Sequence, residues 1–244
     1  MLSYQDIFKR YEMKYLISSA QYEAVRKAME PYVTGDSFGK STICNIYMDT
    51  PEYLLIRRSI DKPVYKEKLR LRSYGLATPD SSVFLELKKK YESIVYKRRV
   101  SVTELEAEAF ILRGDRVEGK SRLEEQIFHE IAYSMTHYGN LQPAVFLSYD
   151  REAFYCIGDR EVRITFDENI LWRNYNISLC SGIYGAPLLG RNQVLMEVKT
   201  STAIPLWLTE ILSKNHIYKT TFSKYGNAYK AIYNMKQRKD DKYA

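Results

Sequence analysis

Lysine and arginine side chains recur at every second position in several β-rich segments of the sequence. In the segment 64–74 these residues are Lys66, Lys68, Arg70 and Arg72. Because successive side chains of a strand point to opposite faces, residues of the same parity share one face. Arginine offers a bidentate fork to phosphate oxygens, and lysine offers a point charge. The spacing is therefore typical of a surface that binds a phosphate-rich anion.

The same alternation appears in the other β-rich segments, where the opposite face is largely apolar. The charged or polar faces carry Arg10, Glu12 and Lys14; Glu86, Lys88 and Lys90; Lys97 and Arg99; Tyr149 and Arg151; Arg163, Thr165 and Asp167; and Glu197 and Lys199. One interpretation is that these are the solvated faces of an open sheet. The other is that helices cover the apolar faces and the charged faces converge in the lumen of a closed sheet. The positive side chains in such a lumen would repel one another unless an anion filled it. Polyphosphate is the obvious candidate, because its charge is the densest.

The elements that must position these side chains are eight predicted strands, which short turns join as antiparallel neighbours. Their predicted bounds are 8–15, 42–49, 64–74, 83–90, 94–102, 144–155, 161–169 and 194–200. Helices are predicted over 18–32 and 123–138, from Pro205 to about residue 215, and over 223–237, from caps and apolar spacing. The expected class is α+β, an eight-stranded antiparallel β-barrel with peripheral helices.

Composition limits the class of protein to which the chain can belong. The chain has 244 residues, 45% of them apolar and 27% charged, with a net charge of +7, which suits a single domain over 1–244. No apolar run has the length of a membrane helix, and the first residues lack the apolar region of a secretory signal. Three widely spaced cysteines exclude a disulfide scaffold and favour a reducing, cytoplasmic location. No P-loop motif is present.

Taken in order, these segments resemble the VTC domain of polyphosphate polymerases, within the triphosphate tunnel metalloenzyme (CYTH-like) superfamily. The resemblance rests on the segments YEMKY, NIYMDT, KLRLRSY, FLELKK, YKRRV, LSYDREAF, VRITFD, LMEVK and FSKY. It implies a barrel that forms a tunnel for triphosphate or a polyphosphate chain and that works with Mn²⁺ or Mg²⁺. Polymerase members transfer the γ-phosphate of ATP onto a growing chain.

The resemblance also implies roles for individual residues. The expected catalytic set is Lys14, Arg70, Arg72, Lys88, Lys97, Arg99, Arg151, Arg163, Glu197 and Lys224. The expected substrate-binding set is Arg10, Lys66, Lys68, Lys90, Tyr149, Lys199 and Ser223. Hydrolytic and cyclase relatives begin with the motif ExExK, whose glutamates help to hold two metals. Here Arg10 replaces the first glutamate, which weakens the interpretation as a two-metal hydrolase. Glu197 is therefore the leading metal ligand, with Glu12, Asp167 and Glu86 as alternatives.

Three other functions stay open at this point. One is hydrolysis of tripolyphosphate or nucleoside triphosphates, and another is a non-catalytic polyphosphate receptor. The third is a nucleic-acid module, which we disfavour because the charges alternate inward and no RNP-like aromatic pair occurs. We therefore expect ATP, polyphosphate, pyrophosphate or triphosphate as ligands and no nucleic acid. The sequence leaves open any membrane-protein partner.

Overall fold

The structure is a computed structural model that describes residues 7–8, 11–92 and 94–243. One antiparallel sheet occupies its centre, and within the described residues this sheet has twelve strands. They are β1 (Ile7–Phe8), β2 (Tyr11–Ser18), β3 (Val33–Gly35), β4 (Ser41–Asp49), β5 (Tyr65–Tyr74), β6 (Ser82–Tyr91), β7 (Ile94–Thr103), β8 (Gln142–Cys156), β9 (Asp159–Arg173), β10 (Ala186–Pro187), β11 (Gln193–Thr200) and β12 (Lys219–Thr220). The eight strands of eight or more residues correspond to the eight that were predicted.

The strand order is β1-β7-β6-β5-β4-β8-β9-β11-β2-β12, with β3 paired to β8 and β10 paired to β9. Backbone hydrogen bonds do not close this path among the described residues, since β7 pairs with β1 and β2 pairs with β12 at the two ends. The sheet nevertheless curls around a cavity. The predicted tunnel is thus present as a curled sheet, without a complete ring of strand pairing.

The first strand is the main difference from the predicted bounds. It was predicted over 8–15, but β2 runs from Tyr11 to Ser18 and Ile7–Phe8 forms a separate strand. Alternation continues through Ile17, and the strand ends where Ser18 caps the next helix. The Ser18 hydroxyl accepts from the Gln21 backbone N–H, and the Gln21 side chain accepts from the Ser18 N–H. This reciprocal capping box fixes the junction.

Six α-helices lie around the sheet in the part of the chain that the structure describes. They are α1 (Ser19–Met29), α2 (Leu54–Ile60), α3 (Glu104–Glu108), α4 (Arg122–Tyr138), α5 (Leu206–Lys214) and α6 (Lys224–Tyr243). The sequence did not predict α2 and α3, which are short. The buried Asp49 carboxylate accepts from the N–H groups of Leu55 and Ile56 and so starts α2. Across the described residues, no helix combines the length and apolarity that a bilayer crossing requires.

Helices bury the outer face of the sheet, which agrees with the second of the two interpretations of the alternation. Ile127 and Ile131 of α4 pack with Leu69 and Leu85 of the sheet in one apolar cluster. A second cluster joins α1 and α5 to β9 and β11. A third has a different position, because α2 and α6 pack against inward-facing side chains such as Leu147. These two helices therefore fill one part of the interior, and the charged face of the sheet encloses the rest.

Candidate functional site

The inward face of the sheet encloses a cavity of about 380 Å³. All ten residues of the predicted catalytic set line it, together with Lys68, Tyr149, Lys199, Ser223 and Glu12. Lys66 and Lys90 lie outside this lining, two register positions beyond Lys68 and Lys88 on the same face of the hairpin. Arg10 lies outside the described residues, and Asp167 is fully buried behind the cavity wall.

Charge is the dominant property of the cavity. Among the residues described, eleven lysines and arginines line it against three glutamates. A concentration of one sign of charge in a cleft with low-dielectric walls attracts counter-ions. The cavity therefore suits a polyanion, and the remaining question is what positions the cations.

Glu86 positions one group of cations. Its carboxylate is almost fully buried, and both Nε and Nη2 of Arg70 lie 2.6 Å from Oε2. Nζ of Lys97 lies 2.9 Å and Nε of Arg99 lies 3.5 Å from Oε1. Burial alone would raise the pKa of Glu86, but Arg70, Arg72 and Lys97 hold it well below its usual value. Glu86 is thus an anionic anchor for cations on β5 and β7.

Asp167 anchors a second group from behind the wall. Nε and Nη2 of Arg151 lie 2.6 Å and 2.7 Å from its two oxygens, and Nζ of Lys224 lies 2.5 Å from Oδ2. Although burial opposes ionisation, Lys224 and Arg151 lower the pKa of Asp167. Asp167 is a poor candidate for a metal ligand, because it is fully buried, does not line the cavity and accepts hydrogen bonds from Arg151 at both oxygens.

Glu197 and Glu12 face the cavity from neighbouring strands. In the strand register Glu197 is opposite Lys14, and Glu12 is opposite Lys199, which gives a checkerboard of charge. Oε1 of Glu197 lies 3.0 Å from Nζ of Lys224, and Oε1 of Glu12 lies 3.1 Å from Nζ of Lys14. Burial would raise the pKa of Glu12, yet Lys14 and Lys199 lower it to about 2. Burial would likewise raise the pKa of Glu197, but Lys224, Lys14 and Arg151 hold it well below its usual value, so both carboxylates are ionised at neutral pH.

These two carboxylates fit one kind of metal site. Mg²⁺ and similar hard cations commonly use one or two carboxylates and complete their coordination with substrate phosphates and water. Within the described part of the chain, no three side chains of His, Cys, Asp or Glu cluster in a metal-binding arrangement. The donors therefore fit a cation shared with bound phosphate and do not form a cage of protein ligands alone.

Two tyrosines and an asparagine at the cavity did not appear among the sequence candidates. The Tyr47 hydroxyl accepts from Nη1 of Arg70, and Asn45 Oδ1 accepts from Nε of Arg72. Burial would raise the pKa of Tyr47, but Arg70, Lys68 and Arg72 lower it to about 8. Tyr225 also lines the cavity, from α6. Asn45 and Tyr47 are both at odd positions of β4 and therefore share one face, which was the available sequence signal. The segment is otherwise mostly apolar and has no lysine or arginine, so this polar face was not recognised.

A curled antiparallel sheet around a strongly basic cavity is the architecture of a triphosphate tunnel protein. The sequence profile of the VTC domain matches residues 9–233. The chain therefore belongs to the VTC domain family, as the sequence motifs indicated.

Curated relatives carry the same family relationship. The chain is 27% identical over 228 residues, 79% of its length, to vacuolar transporter chaperone complex subunit 4 of Trypanosoma brucei brucei. It is 30% identical over 149 residues, 53% of its length, to the subunit of that name from Schizosaccharomyces pombe. The chain spans 28% of the first relative and 20% of the second.

Solved structures support the fold. A candidate adenylate cyclase from Bacillus halodurans has a TM-score of 0.56 at 13% identity, covering 90% of this chain and 96% of that one. A candidate adenylyl cyclase from Hippeastrum, described as having a dominant triphosphatase activity, has a TM-score of 0.50 at 17% identity, covering 88% and 92%. At such identities the likeness establishes the fold alone.

Proposed function

We propose that this domain is an ATP-dependent polyphosphate polymerase, which transfers the γ-phosphate of ATP to the end of a polyphosphate chain. The observation that carries this proposal is the cavity, where eleven cationic side chains face three glutamates. Membership of the VTC domain family, whose resemblance implied a polyphosphate tunnel, supports the proposal. In keeping with the sequence analysis, we further propose that residues 1–244 act as one domain in the cytoplasm.

In phosphoryl transfer the protein supplies mainly positioning and charge neutralisation. Arg70 and Arg151 are each held by a buried carboxylate, so their guanidinium groups are oriented before a ligand arrives. The Nε groups of Arg99 and Arg163 are buried and, among the described residues, lack a hydrogen-bond partner. Nε of Arg99 lies 3.5 Å from Oε1 of Glu86, and both residues line the cavity, where their guanidinium groups could contact phosphate oxygens.

The transfer breaks the bond between the γ-phosphorus and the β–γ bridging oxygen of ATP. A terminal oxygen of the chain forms the new bond to the γ-phosphorus, and ADP leaves. That attacking oxygen is already anionic, so it needs no general base. Glu197 and Glu12 would hold Mn²⁺ or Mg²⁺ together with phosphate oxygens. When bound, such a cation neutralises charge on the phosphates.

Hydrolysis of triphosphate is the second candidate, favoured by the triphosphatase activity described for the Hippeastrum neighbour. A hydrolase must deprotonate the attacking water, and a good general base has a pKa near the working pH. The pKa of Glu12 is about 2, and those of Glu86 and Glu197 are also well below their usual values. All three cavity carboxylates are thus weak bases, which supports transfer to phosphate over transfer to water.

Product analysis tests the proposal. The protein is mixed with ATP and either Mn²⁺ or Mg²⁺, and ADP, orthophosphate and acid-insoluble phosphate chains are measured over time. We expect ADP to appear together with long chains and with little orthophosphate. Equal amounts of ADP and orthophosphate would instead assign hydrolysis, and binding without ADP formation under either metal would assign a receptor.

A further inference from the structure

The hairpin of β5 and β6 carries two pairs of lysines that face each other directly. Lys66 is opposite Lys90, and Lys68 is opposite Lys88. We call these four residues the lysine ladder. Like charges placed directly across two strands destabilise the pairing. The stability of the sheet therefore does not explain two successive pairs of this kind.

The surroundings of the lysine ladder offset this repulsion only in part, through the charge of Glu12, whose pKa Lys88 helps to lower. The charges that act on Lys66 are those of Lys90, Lys88 and Lys62, which together with burial lower its pKa. Among the ion pairs of the described residues, none involves a member of the ladder, and Nζ of Lys66 donates to the neutral backbone carbonyl of Ser59. Arg70, the next residue on the same face, lies 2.6 Å from Glu86. On this face of β5, direct ion pairing with a carboxylate thus ends at Arg70, where the ladder begins.

The lysine ladder runs from the cavity lining outward. Lys68 and Lys88 line the cavity, whereas Lys66 and Lys90 lie beyond its lining. Residues two apart on an antiparallel strand are separated by about 6.8 Å, so Lys66 lies roughly 14 Å from Arg70 along β5. Glu86, beside Arg70, is almost fully buried, while Lys88 is exposed. The ladder therefore extends the basic surface outward from the buried, carboxylate-anchored part of the cavity.

We propose that the lysine ladder is a subsite for a linear polyphosphate chain beyond its third phosphate, so that the domain prefers long chains to triphosphate. Lysine suits this task, because a flexible ammonium group contacts a phosphate as a point charge and does not fix its orientation. Oriented arginines would hold the phosphates near the reaction, and lysines would hold the remaining chain loosely. The inference rests on the proposed function for its ligand class, but it concerns binding and requires no turnover.

A nucleic-acid strand fits the ladder less well than polyphosphate does. Single-stranded nucleic acids are held by a basic groove together with aromatic side chains that stack on the bases. Tyr65 and Tyr91 face each other next to the ladder, but they have the opposite parity and so lie on the other face of the hairpin. There the Tyr65 hydroxyl contacts Glu67. The ladder itself therefore offers charge without a stacking surface.

The test compares two ligands on one variant. Lys66→Gln combined with Lys90→Gln removes the outer pair, and calorimetry measures the affinities for triphosphate and for polyphosphate of narrow length distribution. We expect the ratio of long-chain to triphosphate affinity to fall by about tenfold or more, since charge-neutralising contacts to phosphates are lost. Lys27→Gln combined with Lys214→Gln makes the same change of charge on exposed helix positions outside the cavity and should leave the ratio unchanged.

Three results would overturn the inference. One is an unchanged ratio in the outer-pair variant, and another is an equal fall of the ratio in the control. The third is single-stranded RNA that competes for the same lysines as strongly as polyphosphate does. A thermal melt shows that both variants are folded. If the protein prefers long chains through the ladder but never converts ATP, the proposed function fails while this inference stands.

Discussion

Nζ of Lys224 lies 3.0 Å from Oε1 of Glu197, which links the first turn of α6 to the cavity wall on β11. The next residue strengthens this attachment, because the Tyr225 hydroxyl donates to the Asp49 carboxylate at 2.7 Å. Burial opposes the charge of Lys224, but Asp167 and Glu197 raise its pKa. Lys224 is therefore a cation in the cavity, and Glu197 has a partner before any metal or phosphate arrives.

Replacement of Glu197 by Gln should separate binding from turnover. The change keeps the shape of the side chain and removes a negative charge that repels phosphate. We expect polyphosphate to bind equally well or more tightly, while metal-dependent conversion of ATP falls about a hundredfold or more, as for the loss of a single electrostatic group in an active site. Calorimetry and ADP release measure the two effects.

Glu168→Gln is the control for this variant, because Glu168 pairs with Lys40 outside the cavity lining. Near-normal ATP conversion by the Glu197 variant would end the metal assignment and transfer it to Glu12. Loss of polyphosphate binding would instead mean that Glu197 serves only to orient Lys224 and Arg151.

Arg72 should contribute strongly to anion binding. Its guanidinium is buried at the cavity wall and donates to Asn45 and Tyr149, which are neutral partners. A hydrogen bond to a charged group contributes about 1.5–3 kcal/mol, so Arg72→Met should weaken triphosphate binding by about tenfold or more. Arg98→Met is the matched control, since Arg98 pairs with Glu130 on α4. Equal effects of the two changes would contradict a specific role for Arg72.

Tyr47 should report directly on the charge of the cavity. Its pKa is about 8 because Arg70, Lys68 and Arg72 outweigh the effect of burial. Tyrosinate absorbance should therefore show a group that ionises near pH 8 in the free protein and is absent from Tyr47→Phe. Bound polyphosphate neutralises those cations, so the pKa should rise toward the ordinary value of about 10. A titration that polyphosphate leaves unchanged would mean that the anion binds elsewhere.

Lys68 should make stability depend on pH. Burial and neighbouring lysines lower its pKa to about 8 in the folded protein, whereas an unfolded chain has a lysine pKa of about 10.4. The charged form therefore costs stability below pH 8, and this cost disappears as the pH rises from about 8 to 10.4. Without ligand, Lys68→Met should be more stable by about 1–3 kcal/mol at pH 7, and the difference should shrink by pH 10. Denaturant unfolding at both values measures it, and a difference independent of pH would contradict the assignment.

Much of the fold could be predicted from the alternation of side chains. The even positions of β5 and the stripe of Ile127 and Ile131 on α4 gave the two faces of the sheet and a helix that covers one of them. Alternation reports on one strand at a time, however, so it could not show that, among the described residues, the two ends of the curled sheet do not pair with each other. The short helix α2 was missed because its start depends on Asp49, whose role as a cap appears only in three dimensions.

The candidate site, like the fold, could be predicted only in part from the sequence. Lysine and arginine positions could be predicted because charge on a strand is visible in the sequence. The partners of the carboxylates could not be predicted, since Glu86, Asp167 and Glu197 all lie on the charged faces of predicted strands and the sequence does not show what each one contacts. Only the fold shows that Glu86 and Asp167 are anchors for cations, with Asp167 behind the wall. The repulsion expected inside the lumen is accordingly reduced near these carboxylates and persists at the lysine ladder.

The most direct test of the proposed function follows the γ-phosphate itself. The protein is incubated with Mn²⁺, ATP labelled at the γ-phosphate and a polyphosphate primer of uniform length, and the products are separated after brief turnover. We predict that the label appears in chains one phosphate longer than the primer, in amounts equal to the ADP released. Recovery of the label as orthophosphate, with a primer of unchanged length, would contradict polymerisation.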